Sequence, residues 1–415
     1  MLRNLIFLIL LTTVPAARCA GEVRRGYHDH VAVEQPTRID WVFALANQSP
    51  AAPPADWLPD FDSKQQTYEL FVPPTYRSNK PAPFILFISP SDRAMGYQAW
   101  RATCAAQGAI FAGPHGAGNR CSMQQRVRIV LDVLDDVRRH YRIDPDRTYI
   151  SGFSGGGRVA CAIGFSLPEY FGGVIPICAG GELREESWLR QRVIDRLSVA
   201  HLTGENDFNR SEVERFRNPL LAGVGVRSRV WVVPKLGHAV PPAKWLTEAF
   251  EWVDESAAKR AKLARQYPTM RADGDHPPSR EAFAAALLKE AKTRLQAQAT
   301  RYSGLMQLKG VLVRWPDLPQ AAEAKRLLLR FEQGADRSWE EEDIAEQRRF
   351  LTVRVRALDA YATGPLPKQY EGQRAAMARA ALDLWQIVLN DGQDAQAVAD
   401  AKQRLPILQK LIDNN

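Results

Sequence analysis

Tyr149-Ile150-Ser151-Gly152-Phe153-Ser154-Gly155-Gly156-Gly157-Arg158 contains the pattern Gly-x-Ser-x-Gly, as Gly152 to Gly156, and its flanks decide how the chain folds. Upstream, Thr148-Tyr149-Ile150 has the β-branched and aromatic character of a buried strand, and downstream Gly155–Phe165 has helical spacing. An abrupt turn from strand to helix strains its central residue and crowds the neighbours, so glycine is needed on both sides. Ser154 is thereby raised above the end of a sheet, at the positive end of the helix that follows.

Working outward, Tyr68–Val72, Phe84–Ile88, Gly173–Ile177, Ala200–Leu202 and Val230–Val233 read as further strands, with Ala109–Ala112 as a short one. Tyr97–Gln107 and Val127–Tyr141 read as amphipathic helices between them. Strands alternating with helices imply right-handed crossovers and a mostly parallel, doubly wound sheet covered on both faces. The expected fold class is therefore α/β over residues 61–255, with 21–60 as an N-terminal extension that joins the sheet. From residue 256 to 415 the chain is rich in Ala, Arg, Lys, Gln, Leu and Glu and reads as an all-α C-terminal domain. Within it Leu308–Leu328 and Leu384–Leu405 look alike, each an apolar helix, a turn and an Ala-rich helix, as in tetratricopeptide helix pairs. Their spacing is not the ~34 residues of that repeat.

The 415 residues carry a formal net charge of +8, with basic and acidic side chains interspersed along most of the chain. No basic block or nucleic-acid module is visible, so nucleic acid is not an expected partner. At the N-terminus, Met1-Leu2-Arg3, the apolar run Leu5–Val14 and the small residues Ala16, Ala17, Ala20 and Gly21 read as a secretory signal peptide over residues 1–20. Arg18 directly before Cys19 does not suit lipid attachment. No other run is long and apolar enough to span a bilayer, so a secreted or periplasmic protein is expected. Export places Cys104, Cys121, Cys161 and Cys178 in an oxidising compartment, and at least one disulfide among them is expected over buried free thiols. Of the three possible pairings the sequence does not choose, though the neighbouring pairs Cys104–Cys121 and Cys161–Cys178 would close short loops.

A serine hydroxyl needs a base to take its proton and an acid to orient that base. The chain has seven histidines, and only His201, His238 and His276 follow Ser154. His201 lies inside an apolar strand and reads as packing, while His276 falls among prolines in the helical part. His238, in Leu236-Gly237-His238, follows the last strand, where the base of such a fold belongs. In Gly204-Glu205-Asn206-Asp207 the acid is Asp207, with Glu205 as the alternative. No metal or organic cofactor is required by this set. His28-Asp29-His30 supplies two metal ligands at most and reads as polar surface. Gly113–Asn119 lies at the rim where such sheets bind ligands, which makes His115 and Asn119 candidates for substrate contact. Trp100 reads as core, and Glu340-Glu341-Glu342-Asp343 as the acidic start of a helix.

The stretch Asp144–Gly156, together with Gly204-Glu205-Asn206-Asp207 and Gly237-His238, resembles the α/β-hydrolase superfamily. Within it the chain is most similar to exported esterases of the polyhydroxybutyrate depolymerase and feruloyl esterase type, over about residues 65–255. The resemblance implies an α/β-hydrolase fold, an acyl-enzyme on Ser154 and an ester substrate, polysaccharide-linked or polyester. It also implies an oxyanion hole built from the Gly155 N–H and a second donor. Many members carry His-Gly where this chain has Phe87-Ile88-Ser89-Pro90-Ser91. Pro90 has no N–H, so the second donor falls to Ser91 or its neighbours. Two alternatives stay open at this point: a serine peptidase on the same scaffold, and a binding protein that keeps the fold without catalysis. In the latter the helical part docks a protein partner. All three triad candidates precede residue 240, so the helical part is expected to be dispensable for the chemistry.

Overall fold

In the computed structural model the described residues are 24–273, 279–334 and 337–414. The expected leader (1–20), Cys19 and His276 lie outside them. Eight strands form one sheet: β1 (Gly26–Ala32), β2 (Thr67–Val72), β3 (Ala82–Ile88), β4 (Ile110–Pro114), β5 (Ile143–Phe153), β6 (Gly173–Ile177), β7 (Ser198–Gly204) and β8 (Arg227–Val233). Their order is β1-β2-β4-β3-β5-β6-β7-β8, so β3 and β5 lie near the centre. β1–β2 and β2–β4 pair antiparallel and every other pair is parallel.

Strand β3, Ala-Pro-Phe-Ile-Leu-Phe-Ile, is buried along its whole length, as an apolar run covered on both faces must be. Its residues divide by parity. Ile85 and Phe87 face a core with Trp100, Leu246, Phe250 and Val253, from helices α1 (Tyr97–Gln107) and α6 (Ala243–Asp254). Phe84, Leu86 and Ile88 face a core with Val127, Val130, Leu134 and Val159, from helices α2 (Met123–His140) and α3 (Gly155–Ser166). Residues 34–38 run along α2. The buried acids Asp132, Asp135 and Asp136 accept the N–H groups of Thr37, Arg38 and Glu34 at 2.7, 2.8 and 3.0 Å.

After α4 (Ser187–Arg196), the connection from β7 to β8 is a π-helical turn, Glu212–Arg217, that runs into α5 (Asn218–Val224). Beyond α6 come α7 (Ala257–Gln266), α8 (Arg280–Arg294), α9 (Gln298–Arg314), α10 (Pro319–Glu332), α11 (Ser338–Thr363), α12 (Lys368–Glu371), α13 (Arg374–Asp391) and α14 (Ala395–Asp413). The two look-alike segments each span a helical hairpin, α9–α10 and α13–α14. Only the distal pair has a core of its own, with Trp385, Val388 and Leu408 against Val355 of α11.

The rest of the helical part shares the core beneath α2 and α3, which runs on without a break to Leu287, Leu308, Trp315, Trp339 and Phe350. Gly310 of α9 lies so close to the Trp188 indole of α4 that a methyl group there would sit 2.8 Å from the ring. The buried Arg314 guanidinium bonds Asp40 and Glu169, each at 3.0 Å. Arg190 grips the Glu346 carboxylate with two bonds of 2.8 Å. The composition change near residue 255 therefore marks a change of secondary structure, and the helical part that follows packs onto the core of the sheet-bearing part.

The disulfide expectation is corrected, because Cys104, Cys121, Cys161 and Cys178 are all free. The sheet explains why. Cys104 on α1 and Cys178 after β6 belong to one face, while Cys161 on α3 belongs to the other. Cys121 lies in the loop before α2, with its thiol donating to the Gly116 carbonyl at 3.0 Å. Burial pushes the thiols of Cys104, Cys161 and Cys178 upward in pKa, which marks them as protonated packing residues.

Candidate active site

Strand β5 ends at Phe153, α3 begins at Gly155, and Ser154 between them has φ 52° and ψ −120°. Few non-glycine residues take this conformation, and here it is held from both sides. The Ser154 N–H donates to the Ile177 carbonyl of β6 at 2.9 Å, and the Ser154 carbonyl accepts from Gly157 N–H at 2.9 Å. A side chain on Gly156 would drive into the Ile88 carbonyl of β3, and one on Gly152 into the Gly156 backbone. These close approaches are the physical content of the two motif glycines.

The Ser154 hydroxyl lies 2.9 Å from His238 Nε2, and His238 Nδ1 lies 2.7 Å from Asp207 Oδ1. A carboxylate only accepts, so the imidazole proton sits on Nδ1 and the Nε2 lone pair faces the hydroxyl. Asp207 is buried and takes two further donors, the Thr203 hydroxyl on Oδ2 at 2.6 Å and the Asn209 N–H on Oδ1 at 3.0 Å. Three donors converging on one carboxylate fix its plane. The imidazole plane is fixed in turn by Phe208, stacked at 3.9 Å between centroids, and by Phe153 at 4.9 Å.

Ser154, His238 and Asp207 are thus brought together by the ends of β5, β8 and β7. Glu205 is not part of this set: its carboxylate turns away to accept the Lys235 N–H at 2.8 Å. The histidine loop instead packs on Gly204, where any side chain would strike the Leu236 carbonyl. His201 is fully buried in β7, as its apolar flanks imply.

Of the rim candidates, Asn119 lies against Gly155, whose Cα faces the Asn119 amide. His115 is committed elsewhere, with Nδ1 accepting the Ala94 N–H at 3.0 Å and Nε2 donating to the Asp29 carbonyl at 2.8 Å. Both ring nitrogens are spent on holding β1 to the loop after β3. The same bonds bear on metal binding. Asp29, His30 and His115 cluster together, yet His115 has no lone pair to offer. Cys178, Asp207 and His238 also cluster, with the donor atoms of Asp207 and His238 already bonded to each other. The Ser91 N–H donates to the Ser89 hydroxyl at 3.1 Å, and the loop that carries it is tied to the rim through Asn119 N–H on the Pro90 carbonyl at 2.8 Å.

Sequence reasoning passed over Thr203, Phe208 and Asn209, which surround the acid and the imidazole. Only their position beside Asp207 pointed to them.

Strand order, elbow geometry and the chain order serine, acid, histidine define residues 24–255 as an α/β-hydrolase fold with a helical region packed against it. No protein-family profile matches the chain, and no curated protein does. Among solved structures it is similar to a thermostable esterase, at 23% identity over 46% of this chain, with a TM-score of 0.37. The chain spans 59% of that esterase's length. It is also similar to a substrate-bound fluorophosphonate-binding serine hydrolase of Staphylococcus aureus (13% identity, 46% of this chain, 93% of that one, TM-score 0.37). A third is the feruloyl esterase module of Clostridium thermocellum (13% identity, 46% of this chain, 82% of that one, TM-score 0.33).

Proposed function

We propose that this protein is a serine hydrolase that cleaves carboxylic esters through an acyl-enzyme. One observation carries the reading: an unbroken line of bonds from Asp207 through His238 to the hydroxyl of a serine held at φ 52°. A packing histidine has no need of a strained serine on one nitrogen and a triply bonded carboxylate on the other.

In this reading His238 Nε2 takes the Ser154 proton as Oγ attacks the ester carbonyl, and the pair of electrons displaced from the C=O bond becomes the oxyanion. The oxyanion is received by the Gly155 N–H at the start of α3 and by the Ser91 N–H, which exchanges the Ser89 hydroxyl for it. His238 then returns its proton to the departing alcohol oxygen. Water, deprotonated by the same nitrogen, releases the acid and restores Ser154. Asn119, beside Gly155, contacts the bound ester. The first twenty residues support an exported site of action, and among the described residues no helix is long and apolar enough to cross a membrane.

The test is labelling by a fluorophosphonate probe, with turnover of p-nitrophenyl acetate measured alongside. Wild-type protein labels at Ser154 and turns over the ester. Ser154→Ala, still folded by circular dichroism, loses the label and at least about 1,000-fold in turnover. A folded Ser154→Ala protein that keeps its turnover refutes the assignment.

A further inference from the structure

Asn209 is 1% exposed, and each polar group it carries is engaged. Its N–H donates to Asp207 Oδ1 at 3.0 Å and its Nδ2 to the Cys178 carbonyl at 2.8 Å. Its Oδ1 accepts the hydroxyl of Tyr370 at 2.7 Å. Tyr370 belongs to α12, in the connection between α11 and α13, more than a hundred residues beyond the last group of the triad. That connection is itself held against the acid-bearing segment. The Pro365 carbonyl accepts Ser211 Oγ at 3.4 Å and also Arg215, and the Phe216 and Tyr361 rings stack at 5.9 Å with 8° between their planes. Arg374 braces the connection from the other side through the Gly364 carbonyl at 2.9 Å and the Glu371 carboxylate.

Resting on the reading of Ser154, His238 and Asp207 as a triad, we infer that Tyr370 is a positioning residue, through which the helical region holds the Asp207 carboxylate in line with His238. The physical link is Asn209 itself, whose side-chain amide is pinned by Tyr370 and the Cys178 carbonyl while its main-chain N–H is the donor to Asp207. Deprived of the Tyr370 hydroxyl, Oδ1 is a buried acceptor without a donor, a state that drives the amide to turn toward another partner. Turning the amide releases the Cys178 carbonyl, and residue 209, no longer pinned by its side chain, is free to shift and carry its main-chain N–H away from Asp207. Thr203 and His238 alone then define the carboxylate plane. Tyr370 touches neither substrate nor reacting atoms, so its effect falls on the rate of the chemical step and not on substrate binding.

The full-length chain tests this with Tyr370→Phe, Asp207→Ala and the double variant, reading kcat and KM on p-nitrophenyl acetate. Tyr370→Phe is expected to lower kcat about five- to tenfold, the size of one lost neutral hydrogen bond, with KM within about twofold. In the Asp207→Ala background the same substitution should have no further effect, because the group it acts through is gone. Asn209→Ala enters the same link by a second route. It should reproduce the kcat loss and its disappearance in the Asp207→Ala background, which keeps the test decisive if Tyr370→Phe does not fold.

An unchanged kcat in folded Tyr370→Phe overturns the inference. So does an equal loss with and without Asp207, which is the behaviour of a general structural contact. Either result, with wild-type protein still labelled at Ser154, leaves the hydrolase reading standing. Wild-type protein that neither labels nor turns over ester removes both.

Discussion

His201 makes stability depend on pH in a defined window. It sits in β7 with no exposed surface, its Nδ1–H directed at the Ala179 carbonyl at 3.4 Å and its Nε2 without a partner. Burial pushes the imidazole down from 6.5 to about 4, and the positive charge of Arg217 acts in the same direction. Between these values the unfolded chain binds a proton that the folded chain refuses, so the unfolded state holds more protons and stability falls as pH falls. Above 6.5 neither state is protonated, and below about 4 both are, so the loss is confined to that window. Its size is roughly 2 kcal/mol by pH 5 and roughly 3 kcal/mol by pH 4. That is a large fraction of the ~5–15 kcal/mol by which a domain is stable. His201→Leu fills a similar volume in an apolar strand and carries no titrating group. Urea unfolding at pH 7, 6 and 5 is the assay. The variant should lie within ~1 kcal/mol of wild type at pH 7 and gain roughly 2 kcal/mol on it by pH 5. Parallel stability curves for the two proteins across that range refute the argument.

Replacing Arg314 by Met leaves the buried Glu169 and the half-buried Asp40 without their cation, and urea unfolding should show a loss of about 3–5 kcal/mol, with less than about 1 kcal/mol counting against the shared ionic core. A chain ending near Ser256 uncovers Phe43, Trp188, Phe216 and Leu221, so it should be recovered as aggregate or without near-ultraviolet ellipticity. A soluble truncation that still labels at Ser154 would contradict this. Thiol titration of denatured, unreduced protein should find Cys104, Cys121, Cys161 and Cys178 all reactive; a count lower than these four would restore a disulfide.

The elbow and the strands on either side of it were legible in the sequence because each is a local pattern with a steric cause. Gly152 and Gly156 stand where a Cβ would strike backbone, and a serine between them follows from the turn. His238 and Asp207 were legible for a different reason: histidine is scarce, and the fold places the base and the acid after particular strands. That residues 21–60 join the sheet was expected, but where strand β1 falls within them was not legible. It lies at the sheet edge, carries Tyr-His-Asp-His in sequence, and its pairing with β2 breaks register between His28 and Val31, so no period of two is maintained. The acids of α2 were equally opaque. Asp132, Asp135 and Asp136 resemble a solvated helix face, yet they are buried because residues 34–38 bring unpaired N–H groups to them. Their partners lie about a hundred residues away, beyond the reach of any local pattern.

What the helical region packs against was not legible for a related reason. An amphipathic helix shows the same spacing whether its apolar stripe meets its own neighbours or another part of the chain, so periodicity reports burial but not the partner. The two readings separate only at contacts that demand a specific shape. Gly310 meets the Trp188 indole, and Gly223 of α5 lies against Val353 of α11, where a side chain would collide with the valine methyls. Both glycines sit inside helices, where glycine costs about 1 kcal/mol relative to alanine. The cost is offset if the helices can approach only at that point, and both points join the sheet-bearing half to the helical half. The same joint passes through the π-helical turn Glu212–Arg217, where one extra residue widens the helix beside the segment that carries Asp207. A local departure from helical geometry is stable only where its surroundings enforce it, and here the surroundings are Tyr361, Pro365 and Tyr370. The surroundings of the Asp207 carboxylate are therefore drawn from both sides of the composition boundary.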